Sequence, residues 1–356
     1  MGQQVKKLPS SLELLYGLQC LNLSNCINLE FIPESICNLN SLKKLFISDC
    51  PKIVKFPHVS AGLRYMKELV MDNCSSLSEI HNDIGCLSSL ERLSLRGSNI
   101  VSIPASIKLL TNLGVLDMSD SKRLQSLPEL PPSLVYLVAS DCGSLTTVSS
   151  PRTTISDSKY LKQYRHTVRM DFTNCLDLDL CAYGNVMTEA WLALKFCLDE
   201  MLNFEVILPG SEIPKWFPYQ SNGPSFTIKW IPPTWGIGHS WGFVTCVVFD
   251  VKGRIPLNKL DHKCEIEGDH FFESFPLFES CTDRFFEKDH VIMMSSYWNR
   301  EGYSLPRCCS DGHHNVTFTI LPQNPDRDHD TCKVKKVGIY PIKKNHREAT
   351  SELCCG

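Results

Sequence analysis

The segment LQCLNLSNC, residues 18–26, recurs with small changes along the first part of the chain. Related segments follow it: LKKLFISDC at Leu42, MKELVMDNC at Met66, LERLSLRGS at Leu90, LGVLDMSDS at Leu113 and LVYLVASDC at Leu134. Counted from Leu18, the starts are separated by 24, 24, 24, 23 and 21 residues. A period of this size indicates stacked structural repeats, each supplying one short strand whose alternate residues face the core.

The pattern LxxLxLxxC or N is that of leucine-rich repeats, which stack because one unit cannot bury its own apolar face. It predicts an α/β solenoid of about six repeats over residues 1–150. The second half of each unit carries an IPxSI element, with Pro33, Pro104 and Pro128 in register. Because Pro9 lies 24 residues before Pro33, the chain opens midway through a repeat. We expect it to be the C-terminal part of a longer protein or a truncated gene product.

The chain contains 18 cysteines, and several of them follow the repeat. The ninth position of the pattern holds Cys26, Cys50, Cys74 and Cys142, with Ser98 and Ser121 between them. Zinc ligands are typically spaced C-x₂-C, whereas these cysteines are spaced by the repeat period. The pattern favours a structural role in which a small side chain turns inward and hydrogen-bonds the backbone of the stack.

The outward positions of the strands predict a concave, protein-binding face of mixed charge. The candidate residues are Lys43, Lys44, Phe46, Asp49, Lys67, Glu68, Asp72, Glu91, Arg92, Arg96, Asp117, Asp120 and Tyr136. The whole chain balances 36 basic against 39 acidic side chains, which favours neither nucleic acid nor a membrane surface. The longest apolar run, Trp241–Val251, is too short to span a bilayer, and we expect no membrane span.

The pattern changes after residue 150. Residues 151–202 are interpreted as a Ser/Thr-rich linker followed by an amphipathic helix. Short strand candidates such as SFTIKW and NVTFTILP then predict a mostly antiparallel β-sandwich of the jelly-roll/Ig-like kind over residues 203–343. The charged and aromatic region between residues 252 and 289 is expected to form long loops, and residues 344–356 a tail.

The stretch VILPGSEIPKWFPYQSNGPSF, residues 206–226, is interpreted as a turn that ends the first strand of this domain. Ile213, Trp216 and Phe217 are expected to anchor the following loop onto the core, and a partner contact remains an alternative. The candidate loop residues are Pro209, Gly210, Glu212, Ile213, Pro214, Trp216 and Phe217.

Two segments could carry chemistry. CCSDGHH, residues 308–314, with His329 and Cys332 nearby, is a candidate metal site, but adjacent cysteines and adjacent histidines give poor chelate geometry. DHKCEIEGDH, residues 261–270, offers a candidate Cys–His pair. Both are interpreted as loops, so we predict no catalytic residues, no cofactor and no metal.

Four features occur in order: the repeats, LPELPPSLVYLVASDCGSL (127–145), FTNCLDL (172–178) and LPGSEIPKWFPYQSNGPSFTI (208–228). Together they resemble the C-terminal half of plant intracellular immune receptors of the Toll/interleukin-receptor-like, nucleotide-binding, leucine-rich-repeat (TIR-NB-LRR) class. The last part resembles their post-repeat jelly-roll/Ig-like (C-JID) domain, with CKVKKVGIYPI (332–342) as its closing strand.

This resemblance implies recognition of a pathogen effector or a host regulatory protein in innate immunity, in the cytoplasm or in both nucleus and cytoplasm. It also implies folding back on a nucleotide-binding domain in a full-length receptor. The sequence contains no Gly-x₄-Gly-Lys-Ser/Thr phosphate loop, and no Toll-like NAD-cleaving domain is recognised. We therefore expect no enzyme activity by that family's mechanism.

Three alternatives remain at this point. The first is a stand-alone intracellular leucine-rich-repeat scaffold for signalling. The second is an extracellular receptor fragment, which the N-terminal MGQQVKKLPSS disfavours because it has no apolar export segment. The third is an enzyme hidden in the β domain.

Overall fold

The computed structural model divides the chain into two compact units, Met1–Phe196 and Cys197–Gly356. The structure describes residues 5–59, 61–149, 167–200, 202–230, 241–253, 255–256, 262–268, 271–276, 285–298, 314–322 and 332–342. Several predicted features lie outside these ranges: most of the linker after residue 150, the candidate metal segment 308–313 with His329, and the tail 344–356.

Short strands in regular succession make up most of the first unit. They are β1 (Cys20–Asn22), β2 (Lys44–Phe46), β3 (Glu68–Val70), β4 (Arg92–Ser94), β5 (Val115–Asp117), β6 (Ser126–Leu127), β7 (Tyr136–Val138), β8 (Thr147–Val148) and β9 (Thr167–Asp171). Five 3-10 helices alternate with them in the described part of the unit, at Ser10–Leu14, Glu34–Asn38, Ala61–Leu63, Asn82–Cys86 and Ala105–Leu109. The helix α1 (Leu180–Glu200) follows.

Strands β1, β2, β3, β4, β5, β7 and β9 pair in that order, and all of the described pairs are parallel. The register repeats from strand to strand, so that Leu21, Leu45 and Leu69 lie opposite one another. Leu45 and Leu69 are fully buried, because each strand turns its leucines inward onto the core shared with the neighbouring repeats.

A left-handed residue follows each of these strands. Asn25, Asp49, Asn73, Gly97, Asp120, Asp141 and Asn174 all have φ between 57° and 66°. This region of conformational space is costly for most side chains, and Gly, Asn and Asp enter it most readily. The sequence therefore carries a repeated turn signal, immediately before the Cys or Ser of each unit.

The seventh strand, β9, lies beyond residue 150, where the sequence pattern placed the end of the repeats. Leu137 of β7 pairs with Met170 of β9, and Asn174 repeats the left-handed turn. Asn174 Nδ2 donates to Asp141 Oδ1 across 33 residues of chain, whereas Asn73 makes the equivalent bond to Asp49 across 24. The longer connection hides this unit from a search for a fixed period.

The second unit consists mainly of antiparallel strands. They are β10 (Asn203–Pro209), β11 (Tyr219–Asn222), β12 (Ser225–Trp230), β13 (Trp241–Val251), β14 (Ile255–Pro256), β15 (His262–Gly268), β16 (Phe271–Pro276), β17 (Phe285–Phe286), β18 (His290–Trp298), β19 (His314–Pro322) and β20 (Cys332–Ile342). One sheet has the order β10-β18-β13-β20-β11, the second has the order β12-β19-β15-β16, and β14 pairs with β17.

One apolar cluster receives side chains from both larger sheets of this unit. Phe243 of β13 and Phe318 of β19 are both fully buried, and their ring centroids lie 4.8 Å apart in an edge-to-face arrangement. Ile207 and Ile228 join the same cluster. Residues far apart in sequence therefore form a common core.

The region between residues 252 and 289, expected to form loops, contains the hairpin of β15 and β16. The strand HKCEIEG alternates Lys263, Glu265 and Glu267 with less polar residues. An alternation of period two is the pattern of a strand with one solvated face. The high charge of this segment obscured that alternation.

Candidate functional site

The candidate site is the outward face of strands β1–β5, β7 and β9 with the residues that flank them, called here the strand face. In each three-residue strand the central side chain faces inward, and the side chains on either side of it face outward. On β2, for example, Leu45 is fully buried, whereas the Lys44 side chain is 47% exposed. The same parallel register brings equivalent side chains of successive repeats side by side.

Charges on the strand face are paired between neighbouring strands. The ion pairs that cross from one repeat to the next are Lys44–Glu68 (2.8 Å), Lys67–Glu91 (3.2 Å) and Arg96–Asp120 (3.0 Å). Lys43 Nζ similarly donates to Gln19 Oε1 at 3.1 Å. Exposed pairs of this kind contribute little to stability, roughly 0–1 kcal/mol each. Their effect is to hold long side chains in a regular array of alternating charge.

On the strand face, exposure is highest at β1 and β2 and lower from β3 to β9. Cys20 and Asn22 of β1 are exposed, and so is Lys44 of β2. At the equivalent outward positions, Val115 of β5 is 2% exposed and Val138 of β7 is 3% exposed. The part of the face that is most open to a partner is therefore formed by β1 and β2, with the exposed side chain of Lys67 beside β3.

A buried polar cluster occupies the middle of the face. Ser94 of β4 is 1% exposed, and its hydroxyl donates to a carboxylate oxygen of Asp72. Burial raises the pKa of the Asp72 carboxyl above its usual range, and the nearby Asp117 carboxylate raises it further, while the bond from Ser94 opposes the shift. Desolvation disfavours the charged form of a carboxyl group, so the ionised form of Asp72 lowers the stability of the folded protein.

Four of the predicted face residues lie in the turns that follow the strands, namely Asp49, Asp72, Arg96 and Asp120. Asp49 and Asp120 occupy the left-handed positions after β2 and β5. Asp49 accepts a bond from Asn73 Nδ2, and Asp120 is the partner of Arg96. Asp117 lies on β5, where its carboxylate accepts the Ser119 hydroxyl at 2.6 Å. Asp117 also accepts the Ser119 backbone N–H at 2.9 Å and so supports its turn, whereas Asp49 and Asp120 bond to side chains of neighbouring repeats.

Sequence reasoning missed the contribution of β9 to this face. Arg169 Nη2 lies 2.9 Å from Asp171 Oδ2, and the Arg169 guanidinium lies 5.8 Å from the centroid of the Tyr136 ring. Tyr136 was predicted, whereas Arg169 and Asp171 were not, because their repeat follows the long connection. The turn sequence TNC before and at Cys175 is the signal that could have identified them.

The loop after β10 packs against other strands of the second unit. The strand ends at Pro209, and Gly210 N–H donates to the Asp289 carbonyl at 3.0 Å. Ile213 is 6% and Phe217 2% exposed, and half-buried Trp216 stacks on Phe217 with centroids 4.3 Å apart.

Two residues of β20, Gly338 and Tyr340, pack against this loop. Gly338 leaves room for it, because a Cβ there would lie 2.8 Å from Ile213 Cγ2. Tyr340 meets Trp216 edge-to-face at 6.1 Å. Glu212 is exposed and forms an ion pair with Lys336, and Pro214 begins the turn through a bond from Phe217 N–H to its carbonyl.

The ninth-position thiols of the repeats point into the stack. Cys74 donates to the Ile47 carbonyl at 3.0 Å, Cys142 to Met118 at 3.1 Å and Cys175 to Ala139 at 2.9 Å. Burial raises the pKa of Cys74 and of Cys142 to about 12. A thiol is nucleophilic as the thiolate, so these groups serve structure.

Within the part of the chain that the structure describes, no group of three or more His, Cys, Asp or Glu side chains is arranged to hold a metal ion. The backbone of β15 covers most of the segment 261–270, but the side chains of its candidate Cys–His pair lie outside the described residues. Among the described helices, none is long and apolar enough to cross a membrane.

Comparison with protein families matches both units. The C-JID domain family matches residues 208–348, and the Leucine Rich Repeat family matches residues 17–39. Among solved structures, the leucine-rich-repeat domain of the type III effector XopL is 22% identical to this chain. The match covers 50% of this chain and 64% of the XopL chain, with a TM-score of 0.40. That score is too low for the likeness to define the fold.

Two of the relatives from Arabidopsis thaliana each match more than half of the chain. Disease resistance-like protein DSC1 is 27% identical over 291 residues, covering 74% of this chain and 23% of the relative. Disease resistance protein RPS4 is 30% identical over 259 residues, covering 69% of this chain and 20% of the relative. The chain thus spans less than a quarter of the length of these relatives. We conclude that the chain is a leucine-rich-repeat and C-JID region of the kind found in plant disease resistance proteins.

Proposed function

We propose that this chain is the non-catalytic recognition region of a plant disease resistance protein of the TIR-NB-LRR class. In this proposal the strand face binds a pathogen effector or a host regulatory protein during innate immunity. The observation that carries it is the open end of the strand face, where Lys44–Glu68 and Lys67–Glu91 form an array of alternating charge. Alternating signs complement a protein surface better than a polyanion.

We also propose the arrangement of the strands within each unit. The parallel ladder is a leucine-rich-repeat solenoid whose strand face is concave, as stacked repeats of this kind commonly are. The two antiparallel sheets of the second unit form a jelly-roll/Ig-like sandwich around the cluster that contains Phe243 and Phe318. In a full-length receptor of this class, a nucleotide-binding domain is a further partner, and the protein acts in the cytoplasm.

The loop of residues 209–217 has a different place in the proposal. Its apolar side chains Ile213 and Phe217 are buried, which favours a role in holding the domain together. Exposed Glu212 remains a candidate partner contact, although its ion pair with Lys336 gives it a structural role as well.

The strand face is tested by reversing two exposed charges at its open end. In the variant Lys44→Glu/Lys67→Glu, we expect capture of partner protein from infected leaf tissue to fall at least about tenfold, because like charges oppose docking. Capture is quantified by mass spectrometry against the wild-type chain. The control is Lys108→Glu, which makes half of the charge change. Lys108 forms a similar exposed pair with Glu129, at 3.1 Å, on a 3-10 helix away from the strand face.

The control and the double variant should melt within a few degrees of wild type, because exposed pairs add little stability. Equal loss of capture in both variants would show that binding depends on the net charge of the chain and not on the strand face. Full capture by the double variant would exclude the open end of the strand face.

A further inference from the structure

A second concave site lies away from the strand face, at the start of the 3-10 helix Asn82–Cys86. It is a groove of about 690 Å³ lined by His58 of the second repeat, residues 78–83 of the third, and Val101, Ser102 and Pro104 of the fourth. We call it the histidine groove. Because three successive repeats contribute to it, its shape depends on their stacking.

The histidine groove arises where the third repeat departs from the IPxSI pattern. His81 stands in the register that Pro33 and Pro104 occupy in other repeats. Its ring stacks on that of His58, with centroids 4.0 Å apart and planes 13° apart. His58 Nδ1 lies 2.8 Å from Asp83 Oδ2.

The groove contains polar atoms that no described residue hydrogen-bonds. Within the described residues, the buried atoms His81 Nε2 and Asp83 Oδ1 have no hydrogen-bond partner, although buried polar atoms in folded proteins nearly always have one. The Glu79 side chain is 62% exposed, and its carboxylate makes only a 3.4 Å contact with His81 Nδ1. The His58 side chain is 64% exposed.

The lining determines what could fill this space. It contains two carboxylates, from Glu79 and Asp83, and none of the lining residues in the described structure is Lys or Arg. A cation is therefore complementary. Since no described cluster is arranged to hold a metal ion, an organic cation fits better. Guanidinium is planar, stacks on aromatic rings and pairs with carboxylates through two donors.

We propose that the histidine groove binds an arginine side chain from a short basic segment of a protein partner. The guanidinium stacks on the exposed ring of His58 and pairs with Glu79. Its aliphatic stem lies along Val101 and Pro104, and the volume of the groove leaves room for the residues on either side. This interaction is separate from the one proposed for the strand face.

The test uses the intact chain and a capped hexapeptide with two central arginines as the probe. The reference probe is the same peptide with citrulline at both positions, which keeps the shape and removes the charge. Binding is followed by isothermal titration calorimetry, together with amide chemical shifts of residues 78–83. We expect the arginine peptide to bind at least about fivefold more tightly than the citrulline peptide, since charge-assisted pairs are the stronger ones.

Two variants locate the interaction. Glu79→Gln keeps the side-chain shape and should weaken the arginine peptide about fivefold, and His58→Ala should weaken it by removing the stacking surface. The matched control is Glu129→Gln, an exposed glutamate of another repeat, which should bind like wild type. Equal binding of the two peptides, or undiminished binding by Glu79→Gln, would overturn the proposal.

Discussion

Replacing Gly338 with alanine tests how the loop of residues 209–217 is held on the second unit. A Cβ at this position would lie 2.8 Å from Ile213 Cγ2 and 3.3 Å from Phe217 Cδ1. Carbon atoms pack best at about 3.5–4.0 Å, and neither contact is the free end of a long, flexible side chain. Overpacking of a closed core costs about 1–3 kcal/mol, so we expect Gly338→Ala to lower the free energy of unfolding by that amount.

The steric origin is tested by a double-mutant cycle with Ile213→Ala. Alone, Ile213→Ala should cost about 2–4 kcal/mol, because the residue is buried. In the Ile213→Ala variant, however, Gly338→Ala should cost less than about 0.5 kcal/mol. The Cγ2 methyl group of Ile213 is then absent, and the new Cβ fills the space that it leaves. Urea unfolding followed by tryptophan fluorescence measures each variant, and Trp216 is a local reporter because it stacks on Phe217.

The control is Gly143→Ala, since a Cβ at Gly143 would meet nothing within 4 Å. This variant should unfold within about 0.5 kcal/mol of wild type. If Gly338→Ala costs the same free energy with and without Ile213, contact with Ile213 is not the cause of that cost. Close packing of the loop against Gly338 would then be excluded as the reason for glycine at this position.

Two further predictions concern the repeats. Cys142→Ala should lower the free energy of unfolding by about 1–3 kcal/mol, because it removes a buried side chain and the bond to the Met118 carbonyl. Cys142→Ser should cost less in urea unfolding, since the hydroxyl keeps that donor and Ser121 fills the same position in another repeat; equal costs would contradict the role of the bond. Asp72→Asn should gain stability relative to wild type at pH 7 but not at pH 4. Burial raises the folded-state pKa of Asp72, so its ionised form is destabilising above that pKa, and the penalty disappears as the pH falls towards the ordinary aspartate value of about 3.9. Thermal melts across this pH range measure the difference, and a constant difference would contradict the assignment.

The pairing of charges changes how the strand face is understood. From the sequence, residues such as Lys44, Glu68, Lys67 and Glu91 were independent members of a mixed surface. In the structure they form cross-strand pairs, because the parallel register places equivalent positions of successive repeats side by side. A substitution at one of them therefore removes its own charge and also removes the ion pair of the neighbouring residue, and we expect both changes to affect binding.

The sequence predicted the strands of the second unit well at its two ends and poorly in the middle. SFTIKW and NVTFTILP appear as β12 and β19, whereas the hairpin of β15 and β16 was expected to be loop. Strands with clear apolar runs can be recognised locally. The order β10-β18-β13-β20-β11 could not be predicted, because pairing between strands so far apart is set by packing of the whole unit.

The repeat of the first unit can be recognised in the sequence alone, since the leucine spacing, the inward Cys or Ser and the left-handed Asn, Asp or Gly are all local signals within one period. Only the tertiary structure added β9 to the ladder, because a connection of irregular length breaks the period while the pairing survives. It also decided which charges pair and which end of the strand face is open. The stacking of His58 on His81 likewise depends on two repeats meeting in space, a contact that neither repeat specifies alone.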